Sequence, residues 1–183
     1  ATVRAVIRSY VMEIDSLNRV NASLTQENTR VKGQYEAATR QIEGLSTEKR
    51  SLSEKVAIAA QLDATGISLV AKNKRGKSTD QIEKATTLQV SFNITRNVTA
   101  ASGVKDIYVR IMSPTGNLLN SAGSFSYENR TLQYSMKRSV EYNGEETPVS
   151  LFWNVSQALV AGTYQVSIFA DGNMIGSRSF AFK

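Results

Sequence analysis

A hydrophobic repeat of seven residues runs through the first third of the chain and constrains its fold more tightly than any other feature. With Ile7 at position a, the a line reads Ile7, Ile14, Asn21, Asn28, Tyr35, Ile42, Lys49 and Val56. The d line reads Val3, Tyr10, Leu17, Leu24, Val31, Ala38, Leu45, Leu52 and Ala59. Fourteen of these seventeen positions are apolar or aromatic, and no stutter breaks the register. A lone helix drifts ~20° per heptad from a strict seven-residue repeat, so register kept over this length predicts supercoiling against a partner helix. The pattern predicts one helix over residues 1–62, about 85 Å long between Val3 and Ala59.

Asn21 and Asn28 occupy successive a positions, which pairing buries. Across a parallel, in-register dimer each asparagine can bond its counterpart. Antiparallel or shifted pairing sets the amide against hydrocarbon without partners. These two residues, and Lys49 beyond them, therefore predict a parallel homodimer, with an anion-trapping trimer as the alternative. Glu27 at g faces Lys32 at the next e of the second helix, while most other g–e pairs are uncharged. Val6, Val11 and Val20 widen the apolar stripe near the N-terminus, either as a broader dimer core or for a membrane or larger bundle. Gly33 and Gly44, at outer positions, each weaken the helix by ~1 kcal/mol relative to Ala, so the helix is expected to be stable only as an oligomer.

Composition changes near "AAQLDATG", residues 59–66. Residues 1–62 hold no Pro, Trp or Phe, whereas residues 66–183 hold all six Phe, the Trp, both Pro and nine of the eleven Gly. Asp63 and Gly66 offer a helix stop, so residues 63–66 read as a linker and 67–183 as a second domain. There the hydrophobic period becomes two. "TLQVSFNIT" alternates Leu88, Val90, Phe92 and Ile94; "DIYVRIMS" alternates Ile107, Val109 and Ile111. "TLQYSMKRSVEY" (131–142) reads as one strand, "PVSLFWNV" sets Val149, Leu151 and Trp153 in phase, and "GTYQVSIFA" does so with Tyr164, Val166 and Ile168. Turn signals separate them: "SPTGN" (113–117), "NG" (143–144), "AG" (161–162) and "DGN" (171–173). With "ISLVA" (67–71), "GSFSY" (123–127) and "SRSFAFK" (177–183), about eight strands are expected, in an antiparallel sandwich of immunoglobulin-like (Ig-like) type. A closed barrel is the alternative, and "VSQALV" (155–160) reads as a helical turn between sheets. The expected fold class is thus α + β in separate regions.

The segments "IYVRIMSPTGNLL" (107–119) and "GTYQVSIFADGNMIGSRSFAFK" (162–183) resemble the C-terminal sandwich of uncharacterised envelope proteins from Bacteroidetes-type bacteria. Those proteins combine an N-terminal membrane anchor, a coiled coil and an Ig-like domain. The resemblance implies a scaffold or adhesion-like role on the periplasmic side of a bacterial cell envelope, with a protein or glycan partner and an upstream anchor. The chain opens "ATVRAVIRSY", without an initiating Met and in mid-helix, which suggests an upstream part. A cytoplasmic location is the alternative.

Chemistry is sparse. The chain has no His and no Cys, which removes imidazole bases, Ser-His and Cys-His pairs, disulfides and thiolate metal sites. No cofactor and no enzymatic activity is expected. "RGKST" (75–79) lacks the first glycine of a phosphate loop. Asn21, Asn93, Asn97, Asn129 and Asn154 begin N-x-S/T triplets, a number that the twelve Asn and abundant Ser and Thr largely account for. Glu145–Glu146 and Asp171–Asn173 read as hairpin turns, and Trp153 as core.

The net charge is +6, and "KNKRGK" gathers Lys72, Lys74, Arg75 and Lys77 within six residues. Such a cluster can bind nucleic acid, anionic lipid or an acidic polysaccharide. Its alternative is a solvated loop whose lysines discourage pairing at a sheet edge. Nucleic acid is disfavoured because no aromatic interleaves the cations. The expectation is a non-enzymatic structural or interaction protein, a coiled-coil dimer presenting two sandwich heads. Its alternative is a binder of an anionic polymer.

Overall fold

The computed structural model describes residues 2–183. The chain divides into two compact units, with the break between Glu54 and Lys55.

A single helix, α1 (Thr2–Ala59), supplies the whole of the first unit and none of its residues is buried. Every apolar residue of the heptad lines lies open: Leu17 is 61% exposed, Leu24 54%, Ile42 66% and Leu45 58%. What support the helix has is local. Asp15–Arg19, Glu27–Arg30 and Arg50–Glu54 pair one turn apart, each worth only a few tenths of a kcal/mol. Glu27 thus pairs within its own helix. Thr25, Thr29, Thr39 and Thr47 return their hydroxyls to the carbonyl four residues back, an arrangement that does not favour the helix. Among the described residues no helix is long and apolar enough to cross a membrane.

The second unit is antiparallel β-structure. Its strands are β1 (Ala64–Lys72), β2 (Ser78–Thr79), β3 (Thr87–Ile94), β4 (Gly103–Met112) and β5 (Gly123–Tyr127). They continue with β6 (Arg130–Tyr134), β7 (Met136–Tyr142), β8 (Thr147–Asn154), β9 (Gly162–Ala170) and β10 (Asn173–Phe182). One sheet has the order β2-β1-β3-β8, a second has β10-β9-β4-β7, and β5 and β6 form a separate hairpin. Alternation sets the inward faces. Leu88, Val90, Phe92 and Ile94 of β3 and Ile107, Val109 and Ile111 of β4 are all buried, as are Tyr164, Val166 and Ile168 of β9. Both sheets contribute to one core, which includes Trp153. The two edges are stitched as well. Arg178 of β10 donates to the Ile67 carbonyl, and Arg138 of β7 donates to the Ser150 carbonyl of β8.

Several sequence expectations need correction. The helix ends at Ala59 rather than 62, and β1 begins at Ala64 rather than 67, so the connection is residues 60–63. Gly66 is no linker: at φ 64° it sits in a bulge of β1 between Thr65 and Ser68. Residues 131–142 are two strands of different sheets, broken at Ser135. That residue is fully buried, its N–H donates to the Val109 carbonyl and its hydroxyl accepts from the Ile111 N–H. Residues 155–160 contain no helical turn; Val155 N–H donates to the Thr86 carbonyl and Leu159 is buried in the core. The split strand and the short β2 raise the strand number to ten.

Candidate functional site

The cations of residues 72–77 form the tip of the β1–β2 hairpin. Asn73 builds the turn: its N–H donates to the Lys77 carbonyl at 2.9 Å, and its Oδ1 accepts from the N–H groups of Arg75 (2.9 Å) and Lys77 (3.2 Å). Gly76, at φ 73°, supplies the left-handed residue. Lys74, Arg75 and Lys77 are thereby held out in solvent on a defined turn, while Lys72 lies at the strand end, half-buried. Its ammonium stands 5.6 Å from the centre of the Phe152 ring on β8. Among the described residues none of the four cations is ion-paired, whereas Arg96, Lys105, Lys137 and Lys183 of the same unit each meet a carboxylate.

Beside the hairpin lies an open depression of about 610 Å³ lined by Asn73, Lys74, Arg75, Glu83, Lys84, Ala85 and Thr86. It brings a fifth cation, Lys84, to the cluster, together with one carboxylate, Glu83. Such a surface can attract an anion but offers no enclosed cavity or reacting group.

A second cluster lies on the other sheet. Tyr108 of β4 stacks on Phe125 of β5 with centroids 4.5 Å apart, and Phe125 and Tyr127 both pack against Phe169. These rings seat the β5–β6 hairpin. At their margin Asp106 accepts from Lys137 (2.8 Å) and from the Ser139 hydroxyl (2.5 Å), and Lys105 meets Asp171 at 2.6 Å. The hydrogen bond from Lys137, aided by that from Ser139, holds the Asp106 carboxyl below the ordinary aspartate value, and Asp106 holds Lys137 above the ordinary lysine value. The carboxylates here are neutralised by their own lysines. Among the described residues no group of three or more metal-ligating side chains converges.

The fifteen heptad positions from Ile7 to Val56 lie together along α1, all exposed. Of the N-x-S/T triplets, the one at Asn97 is committed internally: its Nδ2 donates to the carbonyls of Ala59 (2.9 Å) and Gln61 (3.0 Å). Asn93 donates to Glu146. Sequence reasoning overlooked Phe152, 57% exposed and facing outward. Its signal was present: it occupies the polar-face phase of "PVSLFWNV", between Leu151 and Trp153.

Residues 65–183 match a family described as a domain of unknown function, DUF8428. The chain belongs to that family. Residues 1–50 match DUF8429, described as a coiled-coil region of unknown function, in line with the heptad reading of α1. The DUF8428 match thus spans nearly all of the strand-built unit. No curated protein matches the chain. Among solved structures, the chain is similar to the Pseudomonas fluorescens alkylpurine DNA glycosylase AlkC bound to DNA containing an abasic site analog. The identity is 13% over 68% of this chain, with a TM-score of 0.38. This chain spans 31% of that protein.

Proposed function

We propose that the protein is a non-enzymatic scaffold in which two helices pair in parallel, so that each molecule presents two Ig-like heads. The observation that carries this reading is the seam itself: seventeen heptad positions on one helix, fourteen of them apolar or aromatic, with no buried residue anywhere in α1. A helix with so much open apolar surface and two glycines is marginal alone, and pairing with a second copy covers the stripe. Asn21 and Asn28 favour the parallel, in-register arrangement because only there does each amide meet its equivalent.

Two features support an Ig-like reading of the head. The sheet orders β2-β1-β3-β8 and β10-β9-β4-β7 follow the division of strands in that fold. At the start of β9, the Tyr164 hydroxyl donates to the Val160 carbonyl at 2.7 Å and accepts from the Val160 N–H, the tyrosine corner of such sandwiches. On the resemblance of residues 107–119 and 162–183 to anchored envelope proteins, we assign the heads to the periplasmic side of a bacterial envelope. Pairing two heads makes weak contacts bivalent and raises avidity without any new contact.

Sedimentation equilibrium tests the reading. The expected mass at about tens of micromolar (above a ~1 μM dissociation constant for pairing) is twice the 20.1 kDa chain. A monomer throughout would refute it.

A further inference from the structure

We propose that the outer face of the β2-β1-β3-β8 sheet, with the basic hairpin at its corner, binds an acidic polysaccharide. The inference concerns the head alone and stands whether or not the helices pair.

The face is unusual for a chain in which 21% of residues are charged. The outward positions of its two neighbouring strands β3 and β8 include Thr87, Gln89, Ser91, Ser150 and Asn154, hydroxyls and amides without a charge. Cross-strand register sets Thr87 beside Asn154, Gln89 beside Phe152 and Ser91 beside Ser150. Gln89 Nε2 donates to Ser91 Oγ, and the two serine hydroxyls bond each other, both at 3.1 Å. The result is an array of donors and acceptors that extends ~13 Å along β3, from Thr87 to Ser91. Sugar hydroxyls find partners on such a surface.

One aromatic ring interrupts the array. Phe152 is more than half exposed, and its cross-strand neighbour Gln89 and the Ser150 and Asn154 beside it on β8 are polar. A ring set among hydroxyls and amides suits the weakly apolar C–H face of a pyranose, with the polar groups fixing its orientation. Lys72 lies on the same face, and Lys74, Arg75 and Lys77 follow it in the turn. Their charges have no carboxylate partner among the described residues. Carboxylate or sulfate groups on a polysaccharide would supply that counter-charge. Single-stranded nucleic acid fits less well, because it is held on successive aromatic platforms and this face offers one ring.

The test measures affinity of the full chain for heparin and for polygalacturonate at about 50 mM and about 200 mM salt. Neutral dextran and a mixed-sequence single-stranded oligonucleotide run alongside. Both acidic polysaccharides are expected to bind, with dextran and the oligonucleotide at least about tenfold weaker. The triple variant K74S/R75S/K77S is expected to lose retention. Phe152→Ala, which leaves the charge unchanged, is expected to weaken polysaccharide binding about tenfold at both salt levels. Gln89→Ala checks the same row independently, and circular dichroism confirms that each variant folds. Absence of binding by wild-type protein at the lower salt overturns the proposal. So does an oligonucleotide bound as tightly as the polysaccharides, or a silent Phe152→Ala together with a silent Gln89→Ala, since attraction would then be charge alone.

Discussion

Asn97 commits nearly all its polar groups inside the head. Besides its two amide bonds to Ala59 and Gln61, its Oδ1 accepts from the N–H groups of Thr99 and Ala100. Its own N–H donates to the Tyr142 hydroxyl, which in turn donates to the Thr95 carbonyl. Ala59 ends the helix, so Asn97 also satisfies one of the carbonyls that a helix leaves orphaned at its C-terminus. Asn97→Ala is expected to lower the head's stability in urea by ~2 kcal/mol. Asn97→Asp keeps the acceptor and loses the donor, so its midpoint should fall between those of wild type and the alanine variant. An Asp variant as stable as wild type would contradict a separate role for the amide. The Asp106–Lys137 pair gives a pH signature at the same scale. A carboxyl depressed on folding stabilises the head above its unfolded value, and that contribution disappears as pH falls through the folded value. For Lys137, raised on folding, the contribution is full below its unfolded value and fades as pH rises through the folded one. Lys137→Met should move the NMR titration midpoint of Asp106 upward; an unmoved midpoint would show that Ser139 alone sets it.

Elements carry a different kind of information. Along α1 the side chains that would settle pairing belong to a second chain, so the seam was legible as a period and its geometry was not. Asn21→Val with Asn28→Val should raise the thermal midpoint, by ~1–3 kcal/mol of stability, while loosening the choice of oligomer. Unchanged stability would place these amides outside a buried seam. Gly33 and Gly44 have open space around a would-be Cβ, so Ala at both should add ~1 kcal/mol each to the helix. In the strand-built unit the period of two located most strands, because each faces core on one side and solvent on the other. The break at Ser135 was invisible for a physical reason: alternation passes unchanged through it, and the bonds that turn the chain come from Val109, Ile111 and Asn120, distant in sequence. The β5–β6 turn was missed too, since Glu128 and Asn129 adopt positive φ (45° and 60°) without a glycine. Replacing them by Asn-Gly, the pair that such a turn favours, should stabilise the hairpin by ~0.5–1 kcal/mol in thermal unfolding.

At the scale of the whole molecule, the two units read differently from sequence. The strand-built unit is closed on its own core, and its candidate surface emerged only when register set Phe152 near Lys72. The four hairpin cations were legible because they are contiguous; the ring that joins them comes from a strand some eighty residues later. The helix is the reverse case, since its heptad period is legible in the sequence while the proposed pairing involves a second chain. Pairing is therefore the claim on which presentation of two heads rests. It is tested most directly with Leu17→Cys, a d-position thiol in a chain that has no other cysteine. Parallel, in-register helices bring the two Leu17 positions within disulfide range, so mild oxidation should yield a cross-linked pair on a non-reducing gel. An associated but uncross-linked pair would mean antiparallel or shifted helices, and would contradict the account.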